Sequence, residues 1–108
     1  MKPNLPEIIE RFFACENAGN AEALAACFTA TASVLDEART HQGRDAIRQW
    51  MAEAKARYHH TATPLGAQAR DGCTVVTAEV AGTFPGSPIQ IAHAFRLRGG
   101  LIASLEIG

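Results

Sequence analysis

His93 stands in the middle of an apolar row and is the first residue that could do chemistry. Residues 88–98 read PIQIAHAFRLR, and in an extended chain alternate side chains point to opposite faces. One face then carries Ile89, Ile91, His93, Phe95 and Leu97. An imidazole in such a row has either a buried partner or a cavity to line. In a cavity it can donate a hydrogen bond to a developing oxyanion or relay a proton.

Asp36 is the acid that we pair with this histidine. It lies near the end of a predicted strand over residues 31–37 and shares a face with Val34. A carboxylate withdrawn from water into an apolar pocket has its charged form disfavoured, which moves its pKa toward that of a useful general base. Two alternatives stay open: Asp36 is a solvated acid at a strand end, and His93 is a core histidine held by a backbone carbonyl or by Tyr58. If the two side chains reach hydrogen-bond distance, they form an acid/base pair.

The elements that position these side chains follow from the periodicity of the chain. Helices are predicted over residues 7–18, 21–28 and 44–58, and strands over 31–37, 60–70, 73–84, 88–98 and 101–107. Gly19 is predicted to cap the first helix and Asn20 to start the second, while Asp71-Gly72 predicts a hairpin turn. The stretch ARTHQ (38–42) is expected to be a polar loop, in which His41 covers the pocket. Glu16 is assigned to the solvated side of the first helix, and His59 and His60 to a solvated helix end.

These elements predict one α+β domain spanning residues 1–108. A strongly curved antiparallel sheet wrapped around three helices leaves a cone that can hold a small apolar molecule. Six residues are expected to shape this pocket, although core packing is the alternative for at least three of them: Phe12, Trp50, Tyr58, Ile89, Ile91 and Phe95. The outer sheet face carries small and polar residues and is expected to form a homodimer.

Composition excludes several other classes of protein. Hydrophobic residues make up 47%, charged residues 19%, and the net charge is −1, so we expect no nucleic-acid partner. No apolar run approaches the ~20 residues that span a bilayer, and the acids in MKPNLPEIIERFF argue against a signal peptide. Three widely spaced cysteines indicate reduced thiols and a cytoplasmic protein. We expect no cofactor and no metal, because a metal site would need two or three of Asp36, His41, His60 and His93 to converge, and no local spacing predicts that.

Several motifs resemble the nuclear-transport-factor-2-like superfamily, in its ketosteroid-isomerase and SnoaL-like branch. They are RFFACENAGN (11–20), FTATASVLDE (28–37), GRDAIRQWM (43–51), GTFPGSP (82–88), AFRL (94–97) and GGLIASLEI (99–107). The resemblance implies a cystatin-like α+β roll and a carboxylate base at Asp36. It also implies two proton donors on the substrate oxygen, at positions where this chain has Phe12 and His93.

The predicted function is therefore acid/base chemistry on a small, largely apolar carbonyl compound by an isomerase, cyclase or lyase. Asp36 is the expected base and His93 the expected donor. Two alternatives are a non-catalytic pocket for a hydrophobic ligand, and a dimeric interaction domain whose cone is filled by its own side chains.

Overall fold

Within residues 3–108, which the computed structural model describes, three helices pack against one six-stranded sheet. Met1 and Lys2, which begin the stretch expected not to be a signal peptide, lie outside the described residues. The helices are α1 (Glu7–Ala18), α2 (Ala21–Ala25) and α3 (Arg44–Tyr58). The strands are β1 (Phe28–Asp36), β2 (Arg39–Gln42), β3 (Thr61–Arg70), β4 (Cys73–Ala81), β5 (Ile89–Arg98) and β6 (Leu101–Ile107).

The helix boundaries follow the predicted capping residues. Gly19 ends α1 with φ 71°, a left-handed conformation that glycine adopts without a Cβ clash. The side chain of Asn20 then accepts a hydrogen bond from the backbone N–H of Ala23 at 3.0 Å and starts α2. Both capping predictions are confirmed. Helix α2 is shorter than predicted, because Phe28 already belongs to β1.

The strands lie in the order β2-β1-β6-β5-β4-β3, and the sheet is curved. Four of the five pairings are antiparallel, as predicted for β3 to β6, whereas β1 and β6 run parallel. Strand β5 therefore lies near the middle of the sheet, with β1 on one side and β3 on the other. Side chains from these three strands can face one cavity only because the sheet curves.

The prediction of a polar loop over residues 38–42 is wrong. Residues Arg39–Gln42 form β2, which pairs antiparallel with the end of β1. The two strands are joined by Glu37 and Ala38, whose φ angles are 51° and 62°. Two-residue hairpin turns with positive φ usually contain Asn-Gly or Asp-Gly. A Glu-Ala pair gives no such signal, and it holds the chain in a strained turn directly after Asp36.

The core lies between α1, α3 and the concave face of the sheet. On β5, His93 is 2% exposed and Phe95 is fully buried, while Ile89 and Leu97 at the two ends are 39% and 37% exposed. The predicted alternation therefore holds in the middle of this strand and weakens at its ends, where a bulge follows Arg96. No described helix is long and apolar enough to cross a membrane.

Candidate functional site

A cavity of about 190 Å³ opens between α3 and the concave face of the sheet. Its walls carry carboxylates, histidines, aromatic rings and aliphatic side chains. The lining residues are Glu16, Asp36, Glu37, Trp50, Ala54, Tyr58, His60, Val80, Phe84, Ile89, Ile91, His93 and Ile107. Polar groups thus lie in a mostly apolar wall, which is the usual composition of a small-molecule site.

Asp36 reaches the cavity from the last residue of β1 and is half-buried. The indole N–H of Trp50, on α3, donates a hydrogen bond of 3.0 Å to its Oδ2. Burial raises the pKa of Asp36 above its usual value, and the hydrogen bond from Trp50 opposes part of that rise. Within residues 3–108 its Oδ1 has no hydrogen-bond partner and remains free to accept a proton.

His93 faces the same cavity from the middle of β5. Its Nδ1 lies 3.1 Å from the carbonyl oxygen of Ile91, and because a carbonyl can only accept, Nδ1 carries the hydrogen. Burial lowers the pKa of His93, while the negative charge of Glu16 opposes that change. Neutral His93 therefore presents a lone pair at Nε2 to the cavity. The expected donor role requires the protonated imidazolium form.

Asp36 and His93 share this cavity, but no hydrogen bond joins them directly within the described part of the chain. A ligand between them can contact both groups. Among the other predicted pocket residues, Trp50, Tyr58, Ile89 and Ile91 also line the cavity. The Tyr58 hydroxyl donates to Glu37 Oε1 at 3.2 Å, at the exposed edge of the cavity.

Phe12 and Phe95 do not line the cavity, contrary to expectation. Both are fully buried, and their ring centroids lie 5.3 Å apart in an edge-to-face arrangement. Phe13 and Phe28 complete this aromatic cluster, with centroids 5.2 Å and 5.9 Å from that of Phe12. The rings fill the deep end of the cone and stabilise it by packing.

Glu16 and His60 form a buried pair that sequence reasoning missed. Their side chains are 7% and 8% exposed, and Glu16 Oε2 lies 2.9 Å from His60 Nε2. The assignment of both residues to solvated surfaces is wrong. Glu16 lies four residues after Phe12, on the apolar stripe of α1, and this spacing was the available signal. His60 directly precedes β3 and is buried, as is Ala62 two residues later.

Asn17 explains why these two residues meet. Its side-chain amide bonds both backbone groups of Ala62, with its Oδ1 2.7 Å from the N–H and its Nδ2 2.9 Å from the carbonyl oxygen. This clamp fixes the end of α1 against the start of β3. Glu16 and His60, which adjoin the clamp in sequence, are thereby held at hydrogen-bond distance.

No group of three or more metal-ligating side chains converges within residues 3–108. His41 lies on β2 with its ring 5.9 Å from that of Trp50, outside the main cavity. A larger, open groove of about 560 Å³ runs between α1 and the start of β3. Its acids include Glu7, which forms an exposed ion pair with Arg11, so we do not consider it the reactive site.

The model of the SnoaL-like domain family matches residues 9–105. A search of the curated proteins found no match. A candidate polyketide cyclase from Sinorhizobium meliloti has 36% sequence identity and a TM-score of 0.92, with 96% of this chain and 95% of that chain covered.

Two further solved structures share the fold. A protein from Catenulispora acidiphila with a ketosteroid isomerase-like fold, solved in complex with trimethylamine, is 27% identical with a TM-score of 0.85, over 97% of this chain and 86% of that chain. A nuclear-transport-factor-2-like protein from Cytophaga hutchinsonii is 12% identical with a TM-score of 0.79, over 100% and 91% of the two chains. The chain therefore belongs to the SnoaL-like domain family and has the nuclear-transport-factor-2-like, ketosteroid isomerase-like α+β fold.

Proposed function

We propose that this protein is an isomerase, cyclase or lyase that moves protons on a compact, largely apolar carbonyl compound. Asp36 is the base and His93 is the acid. One observation carries the proposal: within residues 3–108, Asp36 Oδ1 and His93 Nε2 have no hydrogen-bond partner, and both side chains line the same apolar cavity. The similarity to a candidate polyketide cyclase supports this class of reaction.

Asp36 Oδ1 takes a proton from the carbon next to the carbonyl group, and the electrons of that C–H bond form the enolate. The His93 imidazolium gives its Nε2 proton to the enolate oxygen, which leaves an enol and neutral imidazole. Transfer of the Asp36 proton to a different carbon, while His93 Nε2 takes back the hydroxyl proton, gives an isomer. Alternatively, the enol carbon attacks a second carbonyl, His93 Nε2 takes the hydroxyl proton, and the alkoxide that forms takes the proton of Asp36, which gives a ring.

The size of the cavity limits the substrate. Pockets for drug-sized ligands measure roughly 300–1,000 Å³, whereas this cavity measures about 190 Å³. A substrate that fits inside is therefore a small molecule, or the reactive end of a larger one that extends past Ile89 at the exposed end of β5.

Two further parts of the proposal concern assembly and location. Leu35 follows the buried Val34 in β1, so it lies on the outer face of the sheet, and it is a large hydrophobic residue exposed there. This exposure supports a homodimer that covers the outer face. The odd number of cysteines supports a cytoplasmic location.

The test is proton exchange on a model substrate, because the natural substrate is not needed for that step. 3-Cyclohexenone is a compact ketone with acidic hydrogens beside its carbonyl, and their replacement in D₂O is followed by ¹H NMR. We expect Asp36→Asn to slow the catalysed exchange about 100-fold or more, since the general base is removed. Asp71→Asn, which makes the same chemical change in the exposed β3–β4 hairpin, serves as the control. Equal rates for the two variants would exclude Asp36 as the base.

A second candidate function is binding without catalysis. The observation that favours it is that neutral His93 offers the cavity no hydrogen-bond donor. The similar protein from Catenulispora acidiphila was solved in complex with trimethylamine, which supports a compact ligand in this cavity. In this case the wild type shows no exchange above the uncatalysed rate, and cyclohexenone shifts backbone NMR signals equally in wild type and Asp36→Asn.

A further inference from the structure

Trp50 fixes one oxygen of the Asp36 carboxylate. Its indole N–H donates to Oδ2 at 3.0 Å, while Oδ1 has no hydrogen-bond partner among residues 3–108. The two oxygens of a free carboxylate are equivalent and exchange by rotation about the last side-chain bond. A donor on one oxygen removes that equivalence, because rotation would break the hydrogen bond. Oδ1 is therefore the oxygen that a ligand in the cavity meets.

The donor and the acceptor belong to one rigid unit. Asp36 ends β1, and the start of α3 is tied to the same strand by two hydrogen bonds. Arg44 Nε donates to the carbonyl oxygen of Phe28 at 2.8 Å. The backbone N–H of Gly43 donates to the carbonyl oxygen of Ala32, also at 2.8 Å. Side chains on packed helices and strands are held more precisely than those on loops, so the fold sets the distance between the indole and the carboxylate.

The indole itself is held by packing on α3. Trp50 is 9% exposed, and Ile47 and Met51 on the same helix are 0% and 1% exposed. The ring of His41, on β2, lies 5.9 Å from the Trp50 ring between centroids, at an angle of 33°. A side chain packed in this way has little freedom to follow the carboxylate if it turns. Trp50 therefore orients Asp36, and not the reverse.

Asp36 and Trp50 also stand between two cavities. A groove of about 90 Å³ lies beside the main cavity, and both residues line the two of them. The other charged or titratable side chains that line only the groove are Arg39, His41, Glu53 and Arg57. Because the indole N–H occupies the hydrogen-bonding position at Oδ2, a water molecule in the groove cannot occupy it. Proton exchange at Asp36 is thereby directed to Oδ1 in the main cavity.

The same hydrogen bond favours the ionised carboxylate. Burial raises the pKa of Asp36, and the hydrogen bond from Trp50 is the largest effect that lowers this pKa. The charge of Glu37 raises the pKa further, while His93 and His41 lower it. Among the described residues, only Trp50 donates a hydrogen bond to this carboxylate. Loss of the indole N–H would leave Asp36 protonated up to a higher pH.

We propose that Trp50 is the positioning residue for Asp36: its indole N–H holds Oδ2 and so presents Oδ1 to the ligand. This inference rests on the proposed function, because it treats Asp36 as the base. It adds a residue that transfers no proton and acts through the carboxylate. In the absence of the indole, water can satisfy Oδ2, but water is not fixed to α3 and does not hold the carboxylate in one orientation.

The first test observes the hydrogen bond without turnover. Trp50 is the only tryptophan in the chain, so its indole gives a single ¹H–¹⁵N NMR signal. We expect this signal to move upfield in the proton dimension as the pH falls from about 8 to about 3, because a protonated carboxyl group is a weaker acceptor than a carboxylate. In Asp36→Asn the step should disappear. A step of equal size in both proteins, or no step in the wild type, would overturn the proposal.

The second test observes positioning through catalysis. Trp50→Phe keeps an aromatic wall but removes the N–H, so we expect kcat for deuterium exchange on 3-cyclohexenone to fall about tenfold while KM changes less than about twofold. The acidic limb of kcat/KM should move to higher pH. Ile47→Val shortens a buried side chain of α3 that does not line the cavity, and this structural control should keep the wild-type pH profile. An unchanged kcat and acidic limb in Trp50→Phe would contradict the positioning role.

The two tests separate this inference from the proposed function. If the wild type catalyses no exchange, the proposed function fails, and the indole titration alone decides whether Trp50 holds Asp36. If Asp36→Asn abolishes exchange while Trp50→Phe leaves kcat and the pH profile unchanged, Asp36 is the base and the positioning role is excluded. The titration compares the wild type with Asp36→Asn, so it is decisive even if Trp50→Phe does not fold.

Discussion

The two flanks of the cavity place the same functional group in opposite surroundings. On one flank, Asp36 is half-buried, accepts a hydrogen bond from Trp50 and follows a strand into a tight hairpin. On the other, Glu16 is enclosed, and its only hydrogen-bond partner among the described residues is the imidazole of His60. The Asp36 carboxylate can exchange protons with water and ligand, whereas Glu16 is fixed by the elements around it.

The difference separates a reactive carboxylate from one that belongs to the packed interior. A general base must gain and lose a proton in each turnover, which suits the accessible Asp36. A buried carboxylate with a fixed partner keeps its geometry, which suits a structural role. Three predictions test this division, beginning with the largest expected effect.

Removal of the hydrogen-bond partner of Glu16 should destabilise the protein far more than removal of the partner of Asp36. His60→Leu leaves the Glu16 carboxylate buried without a donor, and we expect the free energy of unfolding to fall by about 3 kcal/mol. Trp50→Phe removes the donor to Asp36, which water can replace, and should cost about 1 kcal/mol. Urea denaturation followed by circular dichroism measures both. The double variant Glu16→Leu/His60→Leu should recover most of the loss, and a His60→Leu cost no larger than that of Trp50→Phe would contradict the comparison.

The pH profile of deuterium exchange should report the reactive flank. Exchange rises as Asp36 loses its proton, and burial raises the pKa of Asp36 above 3.8. Exchange falls as His93 loses its proton, and burial lowers the pKa of His93 below 6.5. The maximum of kcat/KM is therefore expected between these values, with a decline of about tenfold per pH unit on each side. A rate that stays constant from pH 6 to pH 8 would show that His93 acts in its neutral form or not at all.

The smallest expected effect is a gain of stability in Asp36→Asn. Burial raises the pKa of Asp36 in the folded state, so folding favours the protonated carboxyl group. The stability that this gives is fully present below pH 3.8 and is lost as pH rises through the folded-state pKa. Asparagine carries no charge and can still accept from Trp50. The variant should be more stable than wild type at pH 7 by under about 1 kcal/mol, given the half-exposed site, and no more stable at pH 3. Thermal unfolding at both pH values measures the difference. A loss of stability at pH 7 would show that burial does not destabilise the Asp36 carboxylate.

The sequence predicted the regular elements better than the polar interior. Helices α1 and α3 were predictable because Ile9, Phe12 and Phe13, and then Ile47, Trp50 and Met51, recur at helical spacing and are buried. Strand β2 was not, because the Glu37-Ala38 turn contains neither glycine nor asparagine. The pattern of alternating residues placed His93 on the buried face of β5.

The missed pair shows what periodicity leaves out. Glu16 occupies a core position of α1, but an acid there suggests a solvated face unless its partner is known, and His60 lies 44 residues away. Phe12 and Phe95 show the reverse error, since spacing identifies the buried face but not the depth at which a ring lies. Pairing and depth both depend on how the sheet curves, and no local pattern reports that curvature.

The close approach at Gly82 has a consequence for redesign of the cavity. A Cβ on this residue would lie 2.6 Å from the carbonyl oxygen of Tyr58, and Thr83 bonds that same oxygen through its backbone N–H at 2.7 Å. Main-chain contacts therefore hold the lip that carries Tyr58 and Phe84. Libraries that vary these two side chains can change the shape of the entrance while the frame beneath them stays in place, provided that position 82 remains glycine.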